Sequence, residues 1–254
     1  MILDSFKLDG KVALVTGAGQ GLGQGMALAL AEAGADVVGL DRGPSEQTGM
    51  AVRALGRHYQ QVVCDLRIAN VDTLADIVTG IVVEMGHLDI LVNNAGIIRR
   101  APAIEFSETD WDDVLAINLK AIFFLSQAAG RVMVSQGGGK IINIASMLSF
   151  QGGVLVPSYT ASKSGVAGVT RALANEWAKY AINVNAIAPG YMATENTAAL
   201  RADPKRSSAI LERIPAGRWG TPGDLKGVVV FLASPASDYM HGAIVPVDGG
   251  WLTR

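Results

Sequence analysis

The fold of this chain is decided near its N-terminus, where the sequence reads Lys11-Val-Ala-Leu-Val-Thr16 and then Gly17-Ala-Gly-Gln-Gly21-Leu-Gly23. The first six residues are an apolar run of strand-forming types, and Met26-Ala-Leu-Ala-Leu-Ala31 is typical of a helix. A strand, a glycine-rich turn and a helix in this order aim backbone N–H groups and a helix N-terminus at a phosphate. The alternative is that these glycines serve only tight packing. In a chain with 30 glycines, three at these offsets are expected by chance about 0.4 times, so the spacing alone is weak evidence.

The same alternation of apolar runs and helical patterns continues to the C-terminus. Six further strands are predicted at residues 36–41, 61–65, 87–93, 141–144, 183–188 and 243–248. No repeat or linker interrupts them, so we expect residues 1–254 to form one α/β domain. Its predicted core is a Rossmann-type doubly wound, mostly parallel seven-stranded sheet with helices on both faces. Residues 191–215 break the alternation and are predicted to be an insertion that covers a substrate.

Composition excludes several classes of protein. Hydrophobic residues make up 50% of the chain and charged residues 17%, which excludes a disordered protein. A net charge of −2 gives no basic surface for nucleic acid. The single cysteine, Cys64, lies in an apolar run and is expected to pack in the core of a cytoplasmic protein. Two long uncharged stretches, residues 12–31 and 141–162, contain Gly, Gln, Asn or Pro and are not expected to span a membrane.

Four polar residues, a glycine and a proline lie at or just beyond the carboxyl ends of the predicted strands, where doubly wound sheets bind ligands. They are Gly17, Asp41, Asp65, Asn93, Ser146 and Pro189. Asp41 lies 18 residues after Gly23, where an acid can accept both ribose hydroxyls of an adenosine and repels a 2′-phosphate. This favours NAD over NADP, although Arg42 could pair with such a phosphate and Asp41 could be a solvated turn residue. Asp65 could either cap a helix or contact adenine.

The pair Tyr159 and Lys163 has the spacing of one helix face, which places their Cβ atoms about 5–6 Å apart. Such a pair arises by chance roughly 0.16 times in a chain of this composition, so the spacing alone is weak evidence. A nearby cation favours the charged form of a phenol and would lower its pKa. Ser146 follows an apolar run and would present its hydroxyl at a strand tip. Asn118 interrupts the apolar face of a helix, which indicates either local hydrogen bonding or a functional role.

Together these motifs resemble the short-chain dehydrogenase/reductase family over essentially the whole chain. The motifs that carry the resemblance are Thr16-Gly17-x-x-x-Gly21-x-Gly23, Asn93-Asn94-Ala95-Gly96, Asn118, Ser146, Tyr159-x-x-x-Lys163, and Pro189-Gly190 with Thr194. The resemblance implies that Tyr159 exchanges the proton of the reacting hydroxyl or ketone and that Lys163 lowers the pKa of that phenol. It implies that Ser146 holds the substrate oxygen and that Asn118 anchors a proton path through water.

The resemblance also implies a nicotinamide cofactor and a homotetramer. The residues it assigns to the cofactor are Gly17, Gln20, Gly21, Leu22, Gly23, Asp41, Asp65, Leu66, Asn93, Ala95, Tyr159, Lys163, Pro189, Gly190 and Thr194. The apolar end of the chain around Trp251 is compatible with burial at a subunit interface. The three histidines are scattered, so no metal site is expected.

More narrowly, four segments are similar to the group within this family that acts on 2-dehydro-3-deoxy-D-gluconate or 2-deoxy-D-gluconate. They begin at Ile98, Ala145, Ala174 and Ile214. A sugar acid needs its carboxylate held, and arginine does this with two parallel hydrogen bonds. The candidate substrate residues are Arg99, Arg100, Met147, Gln151 and Arg213. A gluconate 5-dehydrogenase, a 3-oxoacyl thioester reductase and a non-catalytic nucleotide-binding protein are the alternatives.

Overall fold

The computed structural model describes residues 1–254 and contains one seven-stranded sheet in the order β3-β2-β1-β4-β5-β6-β7. Every strand pair is parallel. The strands are β1 Val12–Thr16, β2 Asp36–Asp41, β3 Tyr59–Val63, β4 Ile90–Asn93, β5 Gly139–Ile144, β6 Ile182–Pro189 and β7 Ile244–Val247. The predicted sheet is therefore confirmed. The third strand was placed two residues too late, because its ladder ends where Asp41, the last residue of β2, pairs with Val63.

Helices cover both faces of the sheet, as predicted. They are α1 Gly21–Glu32, α2 Glu46–Ala54, α3 Val71–Met85, α4 Glu108–Leu115, α5 Ile122–Gln136, α6 Pro157–Trp177, α7 Ala198–Ala202, α8 Pro204–Arg213 and α9 Lys226–Ala233. Alternate residues of β1 serve different cores: Ala13 and Val15 pack with α1 and α9, while Val12 and Leu14 pack with α3 and α5. Truncating a fully buried leucine such as Leu14 would cost about 2–5 kcal/mol.

The strand order reverses at β1, which lies between β2 and β4. The chain leaves β1 toward one side of the sheet and leaves β4 toward the other, so a crevice opens above these two strands. The residues that follow β1, β2, β3, β4 and β5 therefore meet around one space. The fold thereby brings together motifs that lie far apart in the sequence.

The helix that begins after Ser107 runs from Glu108 to Gln136 with a π-helical turn, Ala116–Ala121, between α4 and α5. Ser107 caps it by accepting the N–H of Asp110. By length and mean hydropathy (1.2) this helix could cross a membrane, but half of its most apolar window is buried within the chain. Partial burial of this kind is typical of a core helix.

Residues 191–215 form two short helices, α7 and α8, beyond the carboxyl end of β6. Asp203 caps α8 by accepting the N–H groups of Lys205 and Arg206. Met192 forms an isolated parallel bridge with Gly220, which anchors both ends of the segment to one place. Its role as a substrate cover stays a prediction.

Candidate active site

A cleft of about 620 Å³ opens above the carboxyl ends of β1 to β5. Eleven of the predicted cofactor residues line it: Gly17, Gln20, Gly21, Leu22, Asp41, Asp65, Leu66, Ala95, Tyr159, Lys163 and Thr194. Residues that the sequence reasoning missed also line it, among them Arg67, Ile97, Ile144, Glu195 and Asn196. The cleft joins the glycine-rich turn at one end to the Tyr159 helix at the other. An elongated ligand is the shape that such a space accommodates.

The glycine-rich turn is built for close backbone approach. Gly17 has φ +67°, and a Cβ on it would lie 2.9 Å from Nδ2 of Asn94. A Cβ on Gly23 would overlap the carbonyl of Gly17, so helix α1 packs against the turn with no space for a side chain. The first turn of α1 begins at Gly21 and has no side-chain cap from Gln20. Its free N–H groups and positive dipole end are therefore available to a diphosphate.

The two consecutive asparagines at the end of β4 make different contacts. Asn94 ties β4 to β1, because its Nδ2 donates to the Thr16 carbonyl (2.9 Å) and its backbone N–H donates to the Thr16 hydroxyl (3.0 Å). Asn93, predicted to contact the cofactor, instead points its side chain into the core, where Nδ2 donates to Ser126 and Asn143. Its side chain is 1% exposed and does not line the cleft. Side chains alternate along a strand, so only one of two consecutive residues can face a given side.

Pro189 and Gly190 were predicted to contact the cofactor, but neither lines the cleft. Pro189 is the last residue of β6, and a Cβ on Gly190 would lie only 2.7 Å from the Cα of Asp248. The chain passes close to β7 at these two residues and then reaches the start of α1. There Cγ2 of Thr194 would lie 3.8 Å from a Cβ added at Gly21. Pro189 and Gly190 thereby help to place Thr194, and their own contact with a cofactor stays a prediction.

Asp41 is held rigidly at the tip of β2. Its Oδ2 accepts the N–H of Gly19 (2.9 Å) and its Oδ1 accepts the N–H of Arg42 (2.8 Å). The Arg42 side chain also borders the cleft and forms no ion pair. A fixed carboxylate and a free guanidinium thus stand side by side where an adenosine ribose would lie.

A chain of alternating charges closes the rim of the cleft between β3 and α4. Asp65 pairs with Arg67 (3.6 Å), Arg67 with Asp113 (3.7 Å), and Asp113 with Arg99 (3.7 Å). Arg99 also pairs with Asp110 at 3.0 Å. Asp65 is therefore not free to act on a ligand alone, and Arg99 already has two acidic partners.

Tyr159 and Lys163 line the far end of the cleft, and Ser146 lies beside the Tyr159 phenol. Tyr159 and Lys163 share a face of α6, with Nζ of Lys163 5.6 Å from the centre of the Tyr159 ring. Lys163 is 2% exposed, and its ammonium donates to the Ile144 carbonyl at the tip of β5 (2.5 Å). Ser146 follows β5 and accepts the N–H of Leu148 (3.1 Å), which orients its hydroxyl. A proton donor or acceptor, a cation and a hydroxyl are thus assembled around one point.

Burial raises the pKa of the Tyr159 phenol above its ordinary value of 10.0. The neighbouring Ser146 hydroxyl and the charge of Arg100 act in the opposite direction but are smaller. Burial dominates, so the net shift is opposite to the lowering expected from Lys163, whose ammonium donates to the Ile144 carbonyl. The phenol is thus protonated at neutral pH and can donate to a carbonyl oxygen.

Lys163 carries a cost in stability that depends on pH. Burial lowers its pKa from 10.5 to about 8. Below pH 8 the lysine is charged in both the native and the unfolded state, and the native state carries the full cost of burying that charge. Between pH 8 and 10.5 the unfolded state binds more protons, so the free energy of unfolding rises with pH. We expect Lys163→Met, without nucleotide, to raise the Tm near pH 7 and to lose this advantage toward pH 10. Thermal unfolding at both values tests this, and an equal difference at both would contradict it.

Asn118 lies in the π-helical turn and is fully buried. Its Oδ1 accepts the N–H of Ile97 (2.9 Å), and its Nδ2 donates to the Ile97 carbonyl (2.9 Å) and the Ser162 hydroxyl (3.3 Å). Ser162 donates in turn to the Tyr159 carbonyl (2.8 Å). The asparagine thus ties the β4 loop to α6. Such turns occur often at functional sites, and this one widens the helix where that side chain must turn inward.

The candidate substrate residues divide into two groups. Arg100 donates to the Asn196 carbonyl (3.2 Å) and lowers the Tyr159 pKa through its charge, so it lies near the Tyr159 phenol. Met147, Gln151 and Arg213 belong to a second group beside Ser146: Met147 packs in a buried cluster with Trp251, while Arg213 stacks on the Trp251 ring and reaches Gln151. Trp251 is 4% exposed, so its burial needs no subunit interface.

Comparisons with known proteins agree with this geometry. A short-chain dehydrogenase family model, described as enoyl-(acyl carrier protein) reductase, matches residues 17–252. The chain is 63% identical, over the full length of both proteins, to the 2-dehydro-3-deoxy-D-gluconate 5-dehydrogenase of Escherichia coli (strain K12). It is 42% identical to the gluconate 5-dehydrogenase of Gluconobacter oxydans (strain 621H), over 97% of this chain and 96% of that protein.

A solved structure extends the comparison to three dimensions. The gluconate 5-dehydrogenase of Burkholderia cenocepacia J2315, in complex with NADP and tartrate, superposes with a TM-score of 0.95 at 40% identity over the whole of both chains. The glycine-rich cradle, the rigid Asp41 and the Ser146–Tyr159–Lys163 group fit a nicotinamide dinucleotide. The chain therefore belongs to the short-chain dehydrogenase/reductase family, a family of nicotinamide-dependent oxidoreductases.

Proposed function

We propose that this chain oxidises 2-dehydro-3-deoxy-D-gluconate at C5 to 3-deoxy-D-glycero-2,5-hexodiulosonate, with NAD as the preferred acceptor. The observation that carries the proposal is the 63% identity over the full length to an enzyme of that name. The placement of Tyr159 and Lys163 in one cleft, with the Ser146 hydroxyl beside the Tyr159 phenol, supports it, because these groups can hold the oxygen of the reacting carbon and exchange its proton. Oxidation of 2-deoxy-D-gluconate at C3 is the nearest variant.

The chemistry divides between the ligand and the protein. The nicotinamide supplies or accepts the hydride when bound. Tyr159 exchanges the proton at the reacting oxygen, Ser146 holds that oxygen, and Lys163 lies beside them as a buried cation. Asn118 fixes the β4 loop against α6, so the walls of the site keep their separation. The protein mainly positions and polarises the substrate.

A spectrophotometric screen tests the substrate. The purified chain is offered sugar acids, their ketones, polyols and acyl thioesters with NAD(H) and NADP(H), and the change in NADH or NADPH absorbance is followed. We expect the highest kcat/KM with 2-dehydro-3-deoxy-D-gluconate. Gluconate is the second candidate, favoured by the relatives at 42% identity. Higher kcat/KM with gluconate or an acyl thioester would replace the proposal, and nucleotide binding without turnover would support a non-catalytic protein.

The preference for NAD rests on Asp41, whose carboxylate is fixed by two backbone N–H groups where a 2′-phosphate would otherwise lie. The free Arg42 beside it would attract that phosphate, and the Burkholderia relative was solved with NADP. We expect Asp41→Asn to lower the ratio of kcat/KM for NAD to that for NADP by about tenfold or more, equivalent to about 1.4 kcal/mol. Arg42→Ala should raise that ratio. Initial-rate kinetics measure both, and an unchanged ratio in Asp41→Asn would contradict the role.

A homotetramer and a cytoplasmic location stay predictions. Self-association is supported by an apolar groove of about 530 Å³ on α4, the π-helical turn, α5 and α6. Leu115, Leu119, Phe123, Phe124 and Val169 line it. These side chains are only partly buried in the single chain. Sedimentation of the wild type and of a Phe123→Asp variant would measure the assembly.

A further inference from the structure

We propose that Arg213, Gln151 and the indole N–H of Trp251 form the subsite that holds the carboxylate of the substrate, whereas Arg99 and Arg100 do not. The inference rests on the proposed function. It identifies the residues that bind the carboxylate end of the sugar acid, which is remote from the reacting carbon. Three separate parts of the chain supply this subsite: the loop after Ser146, the end of α8, and the C-terminal turn.

Arg213 is a cation without an acidic partner. Its guanidinium carbon lies 4.0 Å from the centre of the Trp251 ring, and Nη2 reaches Oε1 of Gln151 at 3.4 Å. Stacking on an aromatic ring fixes the plane of the guanidinium and leaves its edge available for two parallel hydrogen bonds to a carboxylate. A long Nη2–Oε1 contact to a neutral amide is easily exchanged for a charged acceptor.

Trp251 supplies an independent sign of a ligand. Its side chain is 4% exposed, and its Nε1–H has no hydrogen-bond partner. A buried donor without an acceptor is costly, and native proteins rarely leave one unpaired unless a ligand or water completes it. The acceptor that arrives with a sugar acid is an oxygen of its carboxylate or of the neighbouring keto group.

The subsite lies beside the catalytic group. Met147 directly follows Ser146 and is buried in the same cluster as Trp251, Ile210 and Ile214. Gln151 lies in the same loop. A six-carbon acid whose C5 oxygen is held at Ser146 has its carboxylate carbon four bonds from C5, so its chain can extend along this loop toward Arg213.

The other two arginines are committed elsewhere. Arg99 already pairs with Asp110 at 3.0 Å and Asp113 at 3.7 Å, so a carboxylate there would compete with two existing ones. Arg100 donates to the Asn196 carbonyl across the cleft and acts on the Tyr159 phenol. We therefore expect Arg99 and Arg100 to shape the cleft and to adjust the pKa of Tyr159, and not to bind the distant end of a substrate.

The test compares the acid with a neutral analogue in which the carboxylate is replaced by a carboxamide. Arg213→Ala should raise KM for the acid about 10- to 100-fold, the loss expected when a charge-assisted hydrogen bond is removed, with kcat and the Kd of NADH little changed. KM for the analogue should stay near its wild-type value. Trp251→Phe, which keeps the ring but removes the N–H, and Gln151→Glu, which supplies an internal counter-charge to Arg213, should each raise KM for the acid.

Arg206→Ala, in the same helix and equally exposed, is the matched control and should behave as the wild type. The subsite assignment fails if Arg213→Ala leaves KM for the acid unchanged, if acid and analogue suffer alike, or if Arg100→Ala alone produces the selective loss. The outcome is separate from that of the proposed function, which fails if the wild-type chain prefers gluconate or an acyl thioester, or binds nucleotide without turnover. An unchanged Kd for NADH shows that each variant is folded.

Discussion

Tyr159→Phe is expected to lower kcat by about 10²- to 10⁴-fold, the usual contribution of a positioned proton donor or acceptor. Phenylalanine keeps the ring and its packing in α6 but cannot exchange a proton with the oxygen of the reacting carbon. The glycine-rich turn, Asp41 and Thr194 are untouched, so the Kd of NADH should stay within about threefold of the wild-type value. Steady-state kinetics and NADH fluorescence titration measure the two quantities.

Tyr180→Phe is the matched control, because Tyr180 is 41% exposed and lies outside the cleft. It should retain wild-type turnover. Turnover that persists in Tyr159→Phe would exclude Tyr159 as the proton-transfer residue and would direct attention to Ser146 or to a bound water. A parallel loss of NADH binding would indicate instead a structural role for the phenol.

The raised pKa of the phenol also sets a direction for the pH dependence. Burial keeps Tyr159 protonated in the ligand-free chain, and only the deprotonated form can remove a proton from a hydroxyl. The rate of oxidation should therefore rise as pH increases above neutral, while the rate of ketone reduction should fall. In Tyr159→Phe the residual rates should lose this dependence.

Gly23→Ala should abolish measurable NADH binding and lower the free energy of unfolding by about 1–3 kcal/mol or more. The added Cβ would overlap the Gly17 carbonyl and press on Nδ2 of Asn94, the amide that ties β4 to β1. Relief requires α1 to move away from the turn, which withdraws the N–H groups of its first turn from the diphosphate. Chemical denaturation and NADH titration test both effects.

Gly80→Ala is the matched control in another helix. Gly80 lies in α3, and a Cβ there would have no atom within 4 Å. Alanine should stabilise this helix by about 0.5–1 kcal/mol and leave NADH binding unchanged. If Gly23→Ala also stabilised the protein and left NADH binding unchanged, its effect would reflect helix propensity alone, and the packing explanation would be wrong.

The sequence predicted the sheet well because parallel strands buried on both faces leave long apolar runs, as in β1 and β6. It also predicted which strand tips would meet, since the doubly wound topology places all carboxyl ends at one edge. It could not tell which of two consecutive polar residues faces the cleft. Asn93 was therefore assigned to the cofactor although its amide completes a buried network with Ser126 and Asn143.

Contacts between distant segments were the other limit. Arg99 was an attractive carboxylate ligand until α4 placed Asp110 and Asp113 beside it. The pairing of Lys163 with the Ile144 carbonyl depends on how α6 lies over β5, which no local pattern records. The π-helical turn at Asn118 is likewise a departure from regular periodicity that apolar spacing does not reveal.

The strand order has a consequence for how the protein folds. β1 pairs with β4, and Val15 and Val92 face each other although 77 residues separate them. Closing such long loops slows folding, and the pairing cannot form until β4 has been made. The space for the dinucleotide does not exist before that step, so NADH should bind only the fully assembled sheet. Added NADH should then slow global unfolding and protect amides of β1 and β4 from hydrogen exchange, without accelerating the formation of α1 and β2.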